Sequence, residues 1–531
     1  MVELAILIGI FSYLVFAVGL IGNLRSLSYL GIGFLMIILF LAAKKRPWEK
    51  IYSFWQEVKK ERICLVLLGL LFAQVIVNLI GALGPELGFD ALWYHLTIPK
   101  IYLQQERIFF IPGSLFYYSA MPKLSGMLYL VSLVFSSGGT LAKLIHFSFG
   151  IFSAIALYNL ARRYLKQRES ILTILIFYTT LIVGWQSITA YVDLARTFFE
   201  ILALDLFLRW WGSDQTKKEA KVFLIESAVM LGLAISTKLL ALASLPIFLI
   251  LIFIKSKKIL PVCFFLLATI IIPLPWFVFS FIYTGNPIFP IFSGILDQSH
   301  KIVSFNLVGF FGDLWTLFHR SADPISPVFL IFFPVLLLGV FKGKLVSWLK
   351  VVAIYFFLAL FFWYFTPRTG GSRFILPYLP ALSLLVVAVV FVQGKLLQKS
   401  LFLLAIFSAI VNIGYRTLAN KKFLPVVFGR ESKNEFLSRH LNFKKGDFLD
   451  LDNDLKKIIK EDELVLVYGS HNLFYADFPF VHSSFANPNL PVSYILVQNN
   501  VFPKEINLGK LVYHNQRSEI KLYFSKVSLN E

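Results

Sequence analysis

Runs of about 20 consecutive apolar residues recur from residue 3 to about residue 417, and that is the helix length needed to cross a hydrocarbon core about 30 Å thick. A water-soluble core does not account for so many such runs. Of the 531 residues 58% are hydrophobic and only 15% are charged, where a soluble domain carries about 25%. The chain therefore reads as an α-helical polytopic membrane protein of about thirteen transmembrane helices. Spans are expected near 3–22, 26–43, 63–83, 140–160, 170–187, 193–211, 222–236, 239–254, 259–281, 327–341, 346–365, 375–393 and 400–417. The N-terminal run lacks a basic segment ahead of it and a small-residue cleavage site, and reads as a retained first helix.

The loops between these runs sort by charge. "KKRPWEKIYSFWQEVKKER" (44–62), "RRYLKQR" (162–168), "KKEAK" (217–221), "KSKK" (255–258), "KGK" (342–344) and "KLLQK" (395–399) fall on one side, which the positive-inside rule makes cytoplasmic. The net charge of +20 is thus a matter of topology, and no nucleic-acid partner is expected. The other side receives the long loop 84–139, the tip at 189–193, Lys238, the segment 282–326, "PRTGGSRF" (367–374) and everything after residue 417. With the N-terminus inside, thirteen spans place the C-terminus outside. Residues 1–417 are thus one membrane domain and 418–531 a small soluble α/β domain, in which "ELVLVYG" (463–469) and "SYILVQN" (493–499) read as strands and "NQRS" (515–518) as a hairpin turn. Cys64 and Cys263 lie in apolar runs, so neither a disulfide framework nor a cysteine metal site is expected.

Ionisable residues at the mouths of membrane helices are costly and mark function by default. The outward face collects several. Asp90 opens "DALWYHLTIPKIY", which, like "MPKLSGMLYLVSLVF" (121–135), reads as an amphipathic helix in the interface plane. Asp90 is either the cap of that helix or a base that faces a lipid-lined site. Asp193 has the same two readings at the start of its span, and Arg196–Glu200 reads as a structural i,i+4 pair. Lys238, Arg373 and Lys123 are cations able to hold a phosphate, or, for Lys238, a side chain reaching to the interface and, for Arg373, a terminal anchor. "YTGNPIFP" (283–290) reads as a rigid turn.

The order of "FDALWYHLTIPKIY", "AYVDLA", "LAISTKLLALASLP", "PWFVFSFIYTGNPIFP" and "GGSRFILPYLPAL" resembles that of membrane glycosyltransferases that use polyprenyl-phosphate sugars. The likeness is to the bacterial branch related to the aminoarabinose transferase of lipid A and to protein O-mannosyltransferases, and spans roughly residues 60–395. It implies the C-type glycosyltransferase fold, Asp90 and Asp193 as the catalytic carboxylates, and Lys238, Arg373 and Lys123 as the donor-phosphate site; beside these, Tyr94, His95 and Lys100 of the same loop are candidate substrate contacts, His95 reading equally as a polar tip in the headgroup layer. It also implies a bacterial inner-membrane, multi-pass protein whose C-terminal domain is periplasmic, with a lipid-linked sugar donor and a glycan, lipid or protein acceptor of the cell envelope, such as lipopolysaccharide. Phe89–Asp90 stands where O-mannosyltransferases carry an acidic pair, which argues against that branch. No cofactor is required; a divalent metal near the carboxylates stays open, with no ligand cluster demanding one. The competing classes are an O-antigen ligase or polymerase and a lipid or solute transporter, and a transporter would place its ionisable residues near the midplane and carry an internal repeat.

Overall fold

The apolar runs fold as helices, and what breaks them is legible residue by residue. The computed structural model describes residues 1–44, 47–293, 305–319, 324–341, 346–366, 368–391, 393–486, 491–501 and 508–528. Among these, eight helices are long and apolar enough to cross a membrane, or nine if the pair Ile259–Ile270 and Leu274–Thr284, bent by 67°, is one span. The bend falls at Pro273, which cannot donate the hydrogen bond a straight helix needs.

Several expected spans fail that composition and length test for physical reasons. The Asp193–Gly212 helix has 20 residues but carries Asp193, Arg196, Glu200, Asp205 and Arg209. The run at 170–187 divides into Gln167–Tyr178 and Leu181–Gln186, where the hydroxyls of Thr179 and Thr180 turn back onto the carbonyls of Leu175 and Ile176 at 2.7 and 2.8 Å. The runs at 327–341 and 375–393 give α-helices of 15 and 13 residues.

Asp193–Gly212 is the central helix. Every residue from Asp193 to Leu208 is buried, against Thr140–Ala161 on one side and Lys218–Thr237 on another. A helix enclosed all round by protein can hold charges that lipid would reject, provided they pair. Arg196 does so with Glu200 at 2.6 Å, and the hydroxyls of Ser244 and Tyr355 also donate to Glu200.

Of the segments grouped by charge in the sequence, 44–62 and 162–168 meet at one end of the bundle. There Arg162 pairs with Glu57, Arg163 and Arg209 both hold Asp205 at 2.7 Å, and Tyr164 stacks on Trp348. The loop 342–344 lies outside the described residues. At the other end lie 84–123, 189–193, 238 and 371–374. One expectation is corrected there: Leu124–Phe135 is not an interfacial helix, because every residue from Leu124 to Leu133 is buried. It packs against the helices Val2–Leu20, Leu27–Lys44, Thr97–Gln104, Thr140–Ala161 and Lys218–Thr237.

Beyond the Lys395–Asn420 helix the chain forms a five-stranded sheet of β1 (Val465–Tyr468), β2 (Phe480–His482), β3 (Pro491–Gln498), β4 (Lys510–Asn515) and β5 (Ile520–Ser528), in the order β2-β1-β3-β5-β4. The first three pair in parallel and β5 runs antiparallel to β3 and β4. The segment after β1 docks on the long loop. Lys100 Nζ donates to the carbonyls of Phe474 and Ala476 and pairs with Asp477 at 2.9 Å, while the Tyr475 hydroxyl donates to the Glu86 carbonyl at 2.9 Å.

Candidate active site

The site starts where Arg62–Leu83 ends at Gly84-Pro85, residues that stop a helix. Lys143, fully buried, donates to the carbonyls of Gly81, Gly84 and Pro85 at 2.7–3.0 Å, satisfying oxygens that the helix end leaves orphaned. Glu86 is also fully buried. Its carboxylate accepts the backbone N–H groups of Leu87 and Gly88 at 2.8 and 2.6 Å and that of Ala190 at 2.5 Å. This one side chain therefore ties the loop that carries Asp90 to the tip that carries Asp193. Gly88 is required by the fit, since a Cβ there would lie 2.8 Å from the Tyr191 ring and 2.9 Å from Glu86 Oε1. His146 fastens the same tip, its Nδ1 2.8 Å from the Thr189 carbonyl and its Nε2 accepting the Leu194 N–H.

Asp90 precedes a π-helical turn, Ala91–His95, a wide turn that recurs at functional sites. The expectation that Asp90 caps this helix does not hold: its side chain makes no capping hydrogen bond. The carboxylate instead accepts from Arg373 Nη1 at 2.5 Å and from the Tyr94 hydroxyl at 3.0 Å. Burial by itself would raise this carboxyl, but Arg373 and its neighbours outweigh burial and hold it below its usual range. Arg373 reaches Asp90 because Gly371, at φ 53° and ψ −139°, kinks the segment Arg368–Phe374. The guanidinium also lies 5.1 Å over the Tyr191 ring.

Asp193, fully buried, is the first residue of its helix, and the cap position falls on Val192. Its Oδ1 accepts from Lys238 Nζ at 2.6 Å, and its Oδ2 has no hydrogen-bonding partner among the described residues. Lys238 is delivered by an extended residue, φ −152° and ψ 121°, between Lys218–Thr237 and the 3₁₀ turn Leu239–Ser244.

The structure thus brings Asp90, Asp193, Lys238 and Arg373 together as two carboxylate–cation pairs. Lys123 and Lys238 line a cavity of about 80 Å³ together with Tyr94, His95, Tyr118 and Thr237. Lys123 Nζ donates to the carbonyls of Ser119 and Met121 at 2.5 and 3.0 Å and lies 5.5 Å over the Trp276 ring. No carboxylate balances it among the described residues, and burial lowers its pKa to about 7. Burial likewise brings His95 to about 3 against the pull of Asp90, so its imidazole is neutral. Lys100 is corrected: its ammonium fastens the C-terminal domain and does not line the cavity. Among the described residues no group of three or more His, Cys, Asp or Glu side chains could hold a metal ion.

Sequence reasoning passed over Glu86, Lys143, His146 and Tyr191. The first three are ionisable residues next to Gly-Pro or inside an apolar run, and that signal was available. The Tyr191 hydroxyl accepts the Asp90 N–H at 3.0 Å; no linear pattern marks it.

The fold has counterparts among known structures. Residues 122–279 match the family model of dolichyl-phosphate-mannose-protein mannosyltransferase, a stretch that contains Lys123, Asp193 and Lys238 but not Phe89–Asp90. ArnT from Cupriavidus metallidurans bound to undecaprenyl phosphate aligns with a TM-score of 0.60 at 12% identity, over 87% of this chain and 98% of that one. Its apo state aligns with a TM-score of 0.61 at the same identity and coverage. The archaeal oligosaccharyltransferase AglB from Archaeoglobus fulgidus aligns at 0.48 and 12% identity, over 81% of this chain and 69% of that one. A comparison with curated proteins gave no match. The chain has the C-type glycosyltransferase fold that the order of its motifs implies.

Proposed function

We propose that this protein is a membrane glycosyltransferase that moves one sugar, a hexose or pentose, from a polyprenyl-phosphate carrier to a hydroxyl of a cell-envelope acceptor. The observation that carries the reading is the pairing of Lys238 with Asp193 and of Arg373 with Asp90 at one end of the helix bundle, with Lys123 lining the same cavity as Lys238. The fold shared with ArnT, whose structure holds undecaprenyl phosphate, supports it. In this reading the site faces the extracytoplasmic side of a bacterial inner membrane, with residues 418–531 there and the N-terminus in the cytoplasm, an orientation that the distribution of the basic loops supports.

The chemistry is a single displacement. The acceptor oxygen forms a bond to the anomeric carbon as the bond from that carbon to the phosphate oxygen breaks; the acceptor proton passes to Asp90, and the carrier leaves as a phosphate with one more negative charge. Stabilising that added charge is the task of prepositioned cations in a site sheltered from water. In-line attack inverts the anomeric centre.

The resting pairs give the reaction an order. While Arg373 holds Asp90, the carboxylate is a weak base. A donor phosphate that draws Arg373 and Lys238 to itself loosens both carboxylates, and Asp90 becomes a stronger base only when donor is in place. The test is transfer by the purified full-length protein from a panel of polyprenyl-phosphate monosaccharides to a cell-envelope extract. Transfer from one donor is expected; no transfer from any would overturn the reading.

A further inference from the structure

Next to Asp90 the loop and the C-terminal domain together build an aromatic ledge that begins at Tyr94 and Tyr118, two rings that also line the cavity. Phe89, immediately before Asp90, is 39% exposed although it is a large apolar residue at an aqueous helix mouth. The His471 imidazole stacks on it, centroids 5.2 Å apart and planes 23° from parallel, and lies 4.2 Å from the Trp93 ring. Trp93 in turn meets Tyr94 and Tyr118 edge-on at 5.3 and 5.0 Å, and Tyr94 and Tyr118 stack face to face at 3.7 Å. Since the Tyr94 hydroxyl donates to Asp90, the rings run without interruption from the carboxylate to the C-terminal domain.

Two features set this ledge apart from ordinary packing between domains. The docking is already secured nearby by the three bonds of Lys100 and by Tyr475, so His471 is not needed to hold it. Its rings also stay partly open: Trp93, Tyr94, Tyr118 and His471 are half-buried and Phe89 more exposed than that. The Trp93 N–H donates to the Leu115 carbonyl at 2.9 Å and the Tyr94 hydroxyl to Asp90, so what the ledge offers is a flat, partly open aromatic face, which suits a molecule with one C–H face. A pyranose ring is such a molecule, and it is also a carrier of the hydroxyl that Asp90 would deprotonate.

We propose that Phe89, Trp93 and His471 form the acceptor subsite and bind a sugar ring, so that the acceptor is a glycan or the sugar headgroup of a glycolipid. This rests on the transferase reading above. The C-terminal domain then contributes His471 directly to acceptor binding. An acceptor ring stacked on Phe89 brings its hydroxyl beside the neighbouring Asp90, the group that takes the proton.

The test uses the full-length protein in nanodiscs, with methyl β-D-glucopyranoside and chitotriose as sugar probes read by saturation-transfer NMR, and undecaprenyl phosphate binding measured in parallel. The variants are Phe89→Leu, which keeps apolar bulk but removes the flat face, and His471→Ala; thermal unfolding checks that each is folded. Sugar signals from wild type that fall at least about fivefold in Phe89→Leu, with undecaprenyl phosphate binding unchanged, support the subsite. Sugar signals equal in wild type and both variants, or absent from wild type while undecaprenyl phosphate binds, would overturn it and leave a peptide or lipid alcohol as acceptor. Loss of undecaprenyl phosphate binding in wild type itself would instead count against the transferase reading, whatever the sugars do.

Discussion

Replacing Asp90 with Asn separates two roles that the geometry assigns to one carboxylate, and it moves two measurable quantities in opposite directions. Asn is nearly isosteric and keeps an oxygen for the Tyr94 hydroxyl and Arg373, bonds of 3.0 and 2.5 Å in the wild type, so the loop should stay folded. It cannot accept a proton, and losing a positioned general base lowers kcat by about 10²–10⁴, or roughly 3–5.5 kcal/mol of barrier. Donor binding should tighten. The carboxylate now competes with the phosphate for Arg373, and a hydrogen bond to a charged group contributes about 1.5–3 kcal/mol. Removing the competitor returns at most that amount, or about one to two powers of ten in Kd. The assay pairs transfer rate with undecaprenyl phosphate binding, both on the variant in nanodiscs. Wild-type transfer by the variant would remove Asp90 as the base, and weaker binding would refute the exchange of Arg373 between carboxylate and phosphate.

Three further outcomes are expected. Because burial brings Lys123 to about 7, it is charged below that pH and neutral above it, so wild-type affinity for undecaprenyl phosphate should fall as pH rises through about 7; Lys123→Arg, which stays charged, should flatten the titration, and an unchanged wild-type curve would remove Lys123 from the phosphate site. Lys238→Met leaves Asp193 buried and unpaired and should cost about 3–5 kcal/mol, seen as a lower Tm that Asp193→Asn added to it largely restores; additive losses would deny the pair. Glu86→Ala strips acceptors from three backbone N–H groups and should destabilise by about 1–3 kcal/mol for each group left unsatisfied while cutting transfer, whereas a Tm and rate equal to wild type would show that Glu86 does not tie the two loops.

The membrane class and the gathering of polar residues at one end were legible because both rest on the cost of placing charge in hydrocarbon. The same cost picked out Asp90, Asp193, Lys238 and Arg373, each of which interrupts or ends an apolar run. Which charge meets which was not legible: Asp90 and Arg373 lie 283 positions apart, and only the packing of the bundle brings them to 2.5 Å. Local rules also misled. Asp before a helix ordinarily caps it, yet here the helix opens as a π turn and the carboxylate turns to a distant guanidinium. Leu124–Phe135 has the composition of a surface helix at its polar start but is enclosed by five others, a tertiary fact. Lys100 looked like a site residue by its position in the loop, and the C-terminal domain takes all its donors.

The central claim is that a lipid-borne phosphate takes the cations now held by Asp90 and Asp193. It is tested most directly by a cryo-EM structure of the full-length protein in nanodiscs with undecaprenyl phosphate. The account predicts the phosphate within hydrogen-bonding distance of Lys123, Lys238 and Arg373, and the Arg373–Asp90 contact lengthened beyond its present 2.5 Å. A phosphate bound away from these three cations, or one seated with both carboxylate–cation pairs intact, would contradict it.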